Sequence, residues 1–238
     1  MTAIHVVNPN ASGPMTEAIA AAARASAPAG VEIVASGNPD GPPSIEGHVD
    51  GALAVPGLLG RIAGADAEGV AAHVIACFDD TGLDAARSVA RAPVVGIGEA
   101  AAHVATLVGE RFGVVTSMPA ALPVLRANLE RYGLAARCAG LRAAGVPVLE
   151  IAARSKAALD AIRREAEAAV ETDGADVLVL GCAGMAWLAE RLSEETGVPV
   201  VEGIAAGVGL AATLVGLGLS TSKRGGYAPP RRPIGAGA

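Results

Sequence analysis

The feature that most constrains this chain is that it contains itself twice. His5-Val6-Val7-Asn8-Pro9-Asn10 opens the first half, and Gly113-Val114-Val115-Thr116-Ser117-Met118 opens the second. Each is a short apolar run that ends in small polar residues. His73-Val74-Ile75-Ala76-Cys77 recurs as Leu178-Val179-Leu180-Gly181-Cys182, and Pro93-Val94-Val95-Gly96-Ile97 as Pro199-Val200-Val201-Glu202-Gly203. Ala105-Thr106-Leu107-Val108-Gly109 recurs as Ala212-Thr213-Leu214-Val215-Gly216. The spacings agree: Asn8 to Cys77 is 69 positions and Thr116 to Cys182 is 66, and the following prolines lie 16 and 17 positions past the cysteines. Repetition on this scale means two copies of one supersecondary plan.

That plan is α/β. Seven short apolar runs read as strands: Ile4–Val7, Val31–Ala35, Ala72–Cys77, Val94–Ile97, Phe112–Thr116, Val177–Leu180 and Val200–Glu202. Runs this continuously apolar fit parallel strands buried on both faces. Alanine-rich helix candidates alternate with them, among them Met15–Ala27, Val49–Ala63, Gly98–Glu110, Ala120–Tyr132, Ser155–Thr172 and Met185–Thr196. Alternation of this kind implies parallel sheets with right-handed crossovers. The expected fold is two similar Rossmann-like lobes related by a pseudo-two-fold repeat, residues 1–98 plus 206–238 and residues 99–205, with the site in the cleft between them.

Composition removes several functions. The 238 residues are 52% hydrophobic and 18% charged, which fits a packed core. A net charge of −6 argues against nucleic acid as a partner, and the one basic cluster (Lys223, Arg224, Arg231, Arg232) is too short to reverse that. With a 2% aromatic share (Phe78, Phe112, Tyr132, Trp187 and Tyr227), a stacking platform for bases or sugars is not expected. The most apolar stretch, Ile204 to Leu219, is short of a membrane span, and the N-terminus carries no signal-peptide pattern. A cytoplasmic protein is expected. Cys77, Cys138 and Cys182 are an odd set without C-x-x-C spacing, so free thiols are expected rather than disulfides or a metal site.

The repeat sets Cys77 and Cys182 at equivalent places, each at the carboxyl end of a strand, where open α/β sheets bind ligands. A free cysteine usually just packs, but the same thiol in both halves points to use. Two thiols facing each other across a cleft suit the inversion of a carbon–hydrogen centre beside a carbonyl. One removes the proton from one face, and the other returns a proton to the opposite face. The thiol pKa lies near working pH, and a following helix N-terminus favours the thiolate. Turn amides or the hydroxyls of Thr116 and Ser117 would hold an enolate oxygen, and Asn8 and Asn10 an amide-like substrate. No step calls for a cofactor. Cys138 has no repeat counterpart and is read as structural.

Several segments carry a family resemblance: NPN at Asn8–Asn10, SIEGHVDGALAVPGLL at Ser44–Leu59, ACFDDTGLDAAR at Ala76–Arg87, VVGIGEAA at Val94–Ala101, LGCAGM at Leu180–Met185 and STSKRGGYAPPRR at Ser220–Arg232. Together they span most of the chain, and it resembles the aspartate/glutamate/hydantoin racemase superfamily, in particular its hydantoin and allantoin racemases. The resemblance implies cofactor-independent racemisation of a cyclic ureide by Cys77 and Cys182, in a homo-oligomer. Phe78, Asp79, Thr116, Ser117, Ala183 and Gly184 fall where site-lining residues are expected. Amino-acid racemases of that superfamily typically follow their cysteines with Asn-Thr and Thr-His; here Phe78-Asp79 and Ala183-Gly184 follow, which suits a neutral ring better than a zwitterion. The alternatives are an amino-acid racemase, a related decarboxylase working with one cysteine, or a binding module without turnover.

Other residues have two readings each. His73 shares a strand face with Cys77 but reads better as a core histidine. Asp79 is either a substrate contact or a helix cap, Asp80 is read as a cap, and Glu202 as an exposed strand-end carboxylate. The Gly96 and Gly98 pattern is too incomplete to read as a phosphate site. Tyr227 and the prolines after it read as a tail packed on a lobe or on a neighbouring subunit.

Overall fold

The computed structural model describes residues 2–231. Arg232 and the rest of the C-terminal end of the expected first lobe lie outside the described residues, as does Met1. The chain runs β1 (Thr2–Asn8), α1 (Gly13–Ser26), β2 (Val31–Gly37), α2 (His48–Ala67), β3 (Ala72–Ile75), α3 (Leu83–Val89), β4 (Val94–Gly96) and α4 (Ile97–Val108). It continues with β5 (Phe112–Thr116), α5 (Leu122–Arg131), β6 (Cys138–Ala143), α6 (Val148–Ala152), α7 (Lys156–Glu171), β7 (Val177–Gly181), α8 (Ala189–Thr196), β8 (Val200–Glu202) and α9 (Gly203–Gly216).

The strands form two parallel four-stranded sheets of identical order, β2-β1-β3-β4 and β6-β5-β7-β8. The central strands β1, β3, β5 and β7 are buried on both faces along most of their length, as is the short edge strand β4, which is why their sequences show no alternation. β6 is the one strand absent from the sequence reading. Cys-Ala-Gly-Leu-Arg-Ala contains no β-branched residue and is only partly buried, and pairing to β5 at the sheet edge makes it a strand. With β6 in place, the repeat is complete, strand for strand.

α1 and α7 start where serine caps are expected: Ser12 Oγ accepts from Met15 N at 3.4 Å and Ser155 Oγ from Ala158 N at 3.1 Å. α9 lies on β3 and α4 on β7, so the last helix of each half packs against the opposite sheet. The two meet across one continuous core that joins Val6, Val74 and Ala101 to Val114, Val179 and Val208. Alanine and glycine make this close approach possible. A Cβ at Gly207 would sit 2.9 Å from Val74 Cγ1, closer than packed carbons come.

Candidate functional site

Each sheet delivers one cysteine past the end of its third strand. Cys77 follows β3 and Cys182 follows β7, and both thiols line one narrow cavity of about 30 Å³ between the lobes. Asn10, Phe78, Asp79, Thr116, Ser117 and Ala183 share its wall. The structure therefore brings together eight of the ten residues singled out from sequence. Asn8 stands behind Asn10, and Gly184 lines a neighbouring hollow instead. A larger hollow of about 500 Å³ opens between α1, Arg154 and Trp187, but it holds neither thiol.

The turn after each cysteine is wound so that the amide two residues on points back at the sulfur: Asp79 N–H toward Cys77 Sγ, and Gly184 N–H toward Cys182 Sγ. Cys77 Sγ also meets Thr81 Oγ1 at 3.4 Å. These donors favour thiolate, and burial opposes it more strongly. Burial and the charge of Asp79 push Cys77 well above its ordinary value, while burial holds Cys182 at about 11. Both thiols rest protonated, and either becomes a strong base once ionised.

Asn8 is committed to the scaffold. Its Nδ2 donates to Asn10 Oδ1 at 2.8 Å and to Thr16 Oγ1 at 3.0 Å, while its Oδ1 accepts from Asn10 N at 3.2 Å. The result is a rigid β1–α1 loop that holds Asn10 at the cavity, its Nδ2 contacting only Met15 Sδ at 3.6 Å. Thr116 spends its hydroxyl proton on Gly181 O at 2.8 Å, so it offers a ligand lone pairs and no donor. Ser117 is the hydroxyl left to donate. Asp79 is anchored by its main chain, since Asn128 Nδ2 of α5 donates to its carbonyl at 2.8 Å. Burial, then the neighbouring Asp80, raise its carboxyl to about 7.

Asp80 is a cap, but of a distant helix. Its carboxylate accepts from Gly98 N at 3.0 Å and Glu99 N at 2.7 Å, occupying the N-terminus of α4, and from Tyr132 Oη at 2.6 Å. A side chain at Gly98 would collide with it: a Cβ there would lie 2.8 Å from Asp80 Oδ2. An internal carboxylate thus fills the turn at Gly96 and Gly98, in keeping with the reading that it is not a phosphate site. Glu202 does the same for α9, accepting from Ile204 N at 2.8 Å and from Ala205 N, so it is a cap rather than a free strand-end carboxylate. His73 belongs to a buried chain beneath the sheet. Its Nδ1 lies 3.0 Å from His5 Nδ1 and its Nε2 3.4 Å from Asp66 Oδ1, while His5 Nε2 lies 2.7 Å from Ser36 Oγ.

Met15, Ile45, Ala121 and Val148 also line the cavity. Ile45 comes from the loop before α2 and Val148 opens α6, and Glu46 Oε1 accepts from Val148 N at 2.9 Å, tying that loop to α6 across the cleft. Of these four, Ile45 alone falls in a segment that carries the family resemblance, and no sequence signal marked any of them as lining the site. The tail folds onto the first lobe: Lys223 Nζ donates to Arg87 O and Ser88 O at the end of α3, and Tyr227 Oη to Asp84 Oδ1 at 3.1 Å. Cys138 sits away from the cavity, donating to Gly140 O at 3.4 Å. Among the described residues no cluster of three or more His, Cys, Asp or Glu could hold a metal ion, and no helix is long and apolar enough to cross a membrane.

Known proteins give this geometry a context. The chain is 44% identical over 234 residues to a hydantoin racemase of Rhizobium meliloti, covering 98% of this chain and 97% of that one. It is 41% identical to a hydantoin racemase of Pseudomonas sp. (strain NS671), covering 99% and 94%. The solved structure of an allantoin racemase from Klebsiella pneumoniae superposes with a TM-score of 0.95 at 46% identity, covering 98% of this chain and 95% of that one. The profile of the Asp/Glu/Hydantoin racemase family matches residues 4–211. The chain belongs to the Asp/Glu/hydantoin racemase family.

Proposed function

We propose that this protein racemises 5-substituted hydantoins, allantoin included, by proton transfer between C5 of the ring and two thiols, Cys77 and Cys182. The observation that carries the reading is the pair of symmetry-related cysteines on one interlobe cavity, in a chain 44% identical to a hydantoin racemase. In each turnover one sulfur is a thiolate. It takes the C5 proton as the C5–H bond breaks, and the electron pair delocalises into the adjacent carbonyl as an enolate. The opposite thiol gives its proton to the other face of C5 and becomes the thiolate of the next turnover. Both steps are proton transfers, so neither calls for an electron acceptor. Thiols raised by burial make scarce but strongly basic thiolates, which suits a weak carbon acid. Ser117, with its hydroxyl proton uncommitted, is assigned to the enolate oxygen, and Asn10 to the ring amides.

A cavity of about 30 Å³ holds a water or two rather than a ring, so substrate entry is taken to part the Glu46–Val148 link across the cleft. The packing of α9 on β3 and of α4 on β7 supports a division into lobes 1–98 plus 206–238 and 99–205. Three free cysteines are in keeping with a cytoplasmic enzyme. Self-association is part of the reading as well, since Leu107 is 80% and Leu217 67% exposed; a sedimentation profile of monomer alone would remove that part. The central reading is tested by following circular dichroism of separate D and L forms of a small 5-alkylhydantoin and of allantoin in D₂O. Decay of both to zero with deuterium entering C5 supports it. No decay beyond a boiled-enzyme control with either compound overturns it.

A further inference from the structure

The cavity contains one charged group type, and it is negative. Asp79 lines it together with both thiols, and no cationic side chain does so among the described residues. No side-chain hydrogen bond from the described residues reaches the Asp79 carboxyl, in contrast to Asp80 beside it, which has three partners. Asp79 is nevertheless held in place, because Asn128 grips its carbonyl and its own N–H faces Cys77 Sγ. It is close enough to Cys77 and to Cys182 for its charge to oppose ionisation of either. A carboxylate at that point would work against both the thiolate and the enolate. A neutral carboxyl would work for them, having one donor and one acceptor side by side.

That donor–acceptor pair has a complement in the substrate proposed above. In a hydantoin the N3–H and the C4 carbonyl are adjacent, and C4 is the carbon next to C5. We infer that Asp79 is a catalytic residue whose neutral carboxyl pairs with this edge, its O–H donating to the C4 oxygen and its carbonyl oxygen accepting from N3–H. As C5–H breaks, the C4 oxygen gains negative charge and the Asp79 hydrogen bond strengthens; the proton stays on Asp79, and the C5 proton goes to sulfur. The arrangement also selects substrate class. The free carboxylate of an α-amino acid offers Asp79 no N–H, and its charge disfavours the cleft that holds a thiolate. The inference rests on the racemase reading and adds to it a residue and a protonation state.

Asp79 is held neutral by its surroundings. Burial comes first and Asp80 second, bringing it to about 7. The groups around it are Cys77 in its own turn and Cys182 across the cleft, and Glu46 from the loop before α2 is close enough to Cys182 to bear on that thiol. On its outer side a surface depression brings up His48, Asp84 and Arg131. Because the folded carboxyl titrates above its ordinary value, the donor is present below about pH 7 and lost above it.

The experiment compares wild type, Asp79→Asn and Asp79→Ala in kcat and KM for a 5-alkylhydantoin between about pH 6 and pH 9. An asparagine amide presents the same donor and acceptor without a charge to titrate. Asp79→Asn is expected to stay within about tenfold of wild type in kcat and to lose the alkaline fall that wild type shows, while Asp79→Ala drops kcat about a hundredfold or more. If Asp79 acts as a carboxylate, Asp79→Asn falls as far as Asp79→Ala, and the inference is overturned. It is overturned equally if the alkaline limb persists in Asp79→Asn. An infrared difference spectrum of wild type minus Asp79→Asn at acid pH reports the protonated carboxyl independently of turnover, and its absence also overturns the inference. Failure of the racemase reading looks different, because wild type itself would then be inactive.

Discussion

The two cysteine turns occupy equivalent places in two sheets of the same strand order, yet they are built differently. After Cys182 the chain has Ala183 and Gly184 and passes straight into a short 3₁₀ helix, Ala183–Leu188. After Cys77 it carries two acids, Asp79 half-buried and Asp80 buried and left-handed (φ 49°), and a hydroxyl at Thr81 that meets the sulfur. The second turn is a bare amide cradle. The first is a charged, strained and externally braced one, tied to α4 by Asp80 and to α5 of the other lobe by Asn128 and Tyr132. Duplication supplied two thiols with the same backbone geometry, and divergence made their surroundings unequal. Unequal surroundings are what a pair of groups with opposite protonation states calls for.

The comparison can be broken most sharply at sulfur. Cys77→Ser and Cys182→Ser are each expected to lower racemisation about a thousandfold or more, measured by loss of optical rotation; a surviving rate in either would make that lobe's thiol dispensable.

A second asymmetry lies beneath the sheets. The first sheet holds His5 and His73, whereas the repeat puts Gly113 and Leu178 at those places in the second. Burial, followed by His73, lowers His5 to about 4, and burial lowers His73 as well. The unfolded chain therefore binds more protons, and stability falls as pH drops from about 6.5 toward about 4, by up to roughly 3 kcal/mol. Urea unfolding across that range in wild type, and a flatter dependence in His5→Leu/His73→Leu, would locate the acid sensitivity in the first lobe. Equal slopes would place it elsewhere.

The two helix caps give a smaller contrast. Asp80→Ala removes three hydrogen bonds from a buried carboxylate and is expected to cost about 2 kcal/mol in urea unfolding, while Glu202→Ala removes a cap on α9 and costs about 1 kcal/mol. Equal costs would mean the brace on the first turn adds nothing. Smallest of all, Thr81→Val should slow alkylation of Cys77 about threefold and leave Cys182 unchanged, because only the first thiol has that hydroxyl as a partner.

What the sequence made legible follows the same division. Repetition revealed both thiols and the two parallel α/β halves, since apolar runs on doubly buried strands are explicit in residue type; the order of the strands came only with the structure. β6 was invisible because its strand state comes from pairing with β5 rather than from its own six residues. Asp80 was readable as a cap, but not of α4, whose N-terminus is 18 positions on and reached only after the chain has passed through α3 and β4. The Glu46–Val148 link and the Asn128 and Tyr132 braces join loops and lobes that no local pattern connects. The division of labour between Thr116 and Ser117 is a matter of which hydroxyl faces Gly181 O, and adjacent residues of like chemistry do not announce that.

The central claim is that the two thiols serve opposite faces of one carbon. It is tested most directly by incubating Cys77→Ser and Cys182→Ser separately with the D and the L form of a 5-alkylhydantoin in D₂O and following loss of the C5 proton signal. The account predicts that each variant, corrected for the uncatalysed rate, exchanges one enantiomer and not the other, and that the two variants differ in which. Identical exchange of both enantiomers by both variants would contradict it.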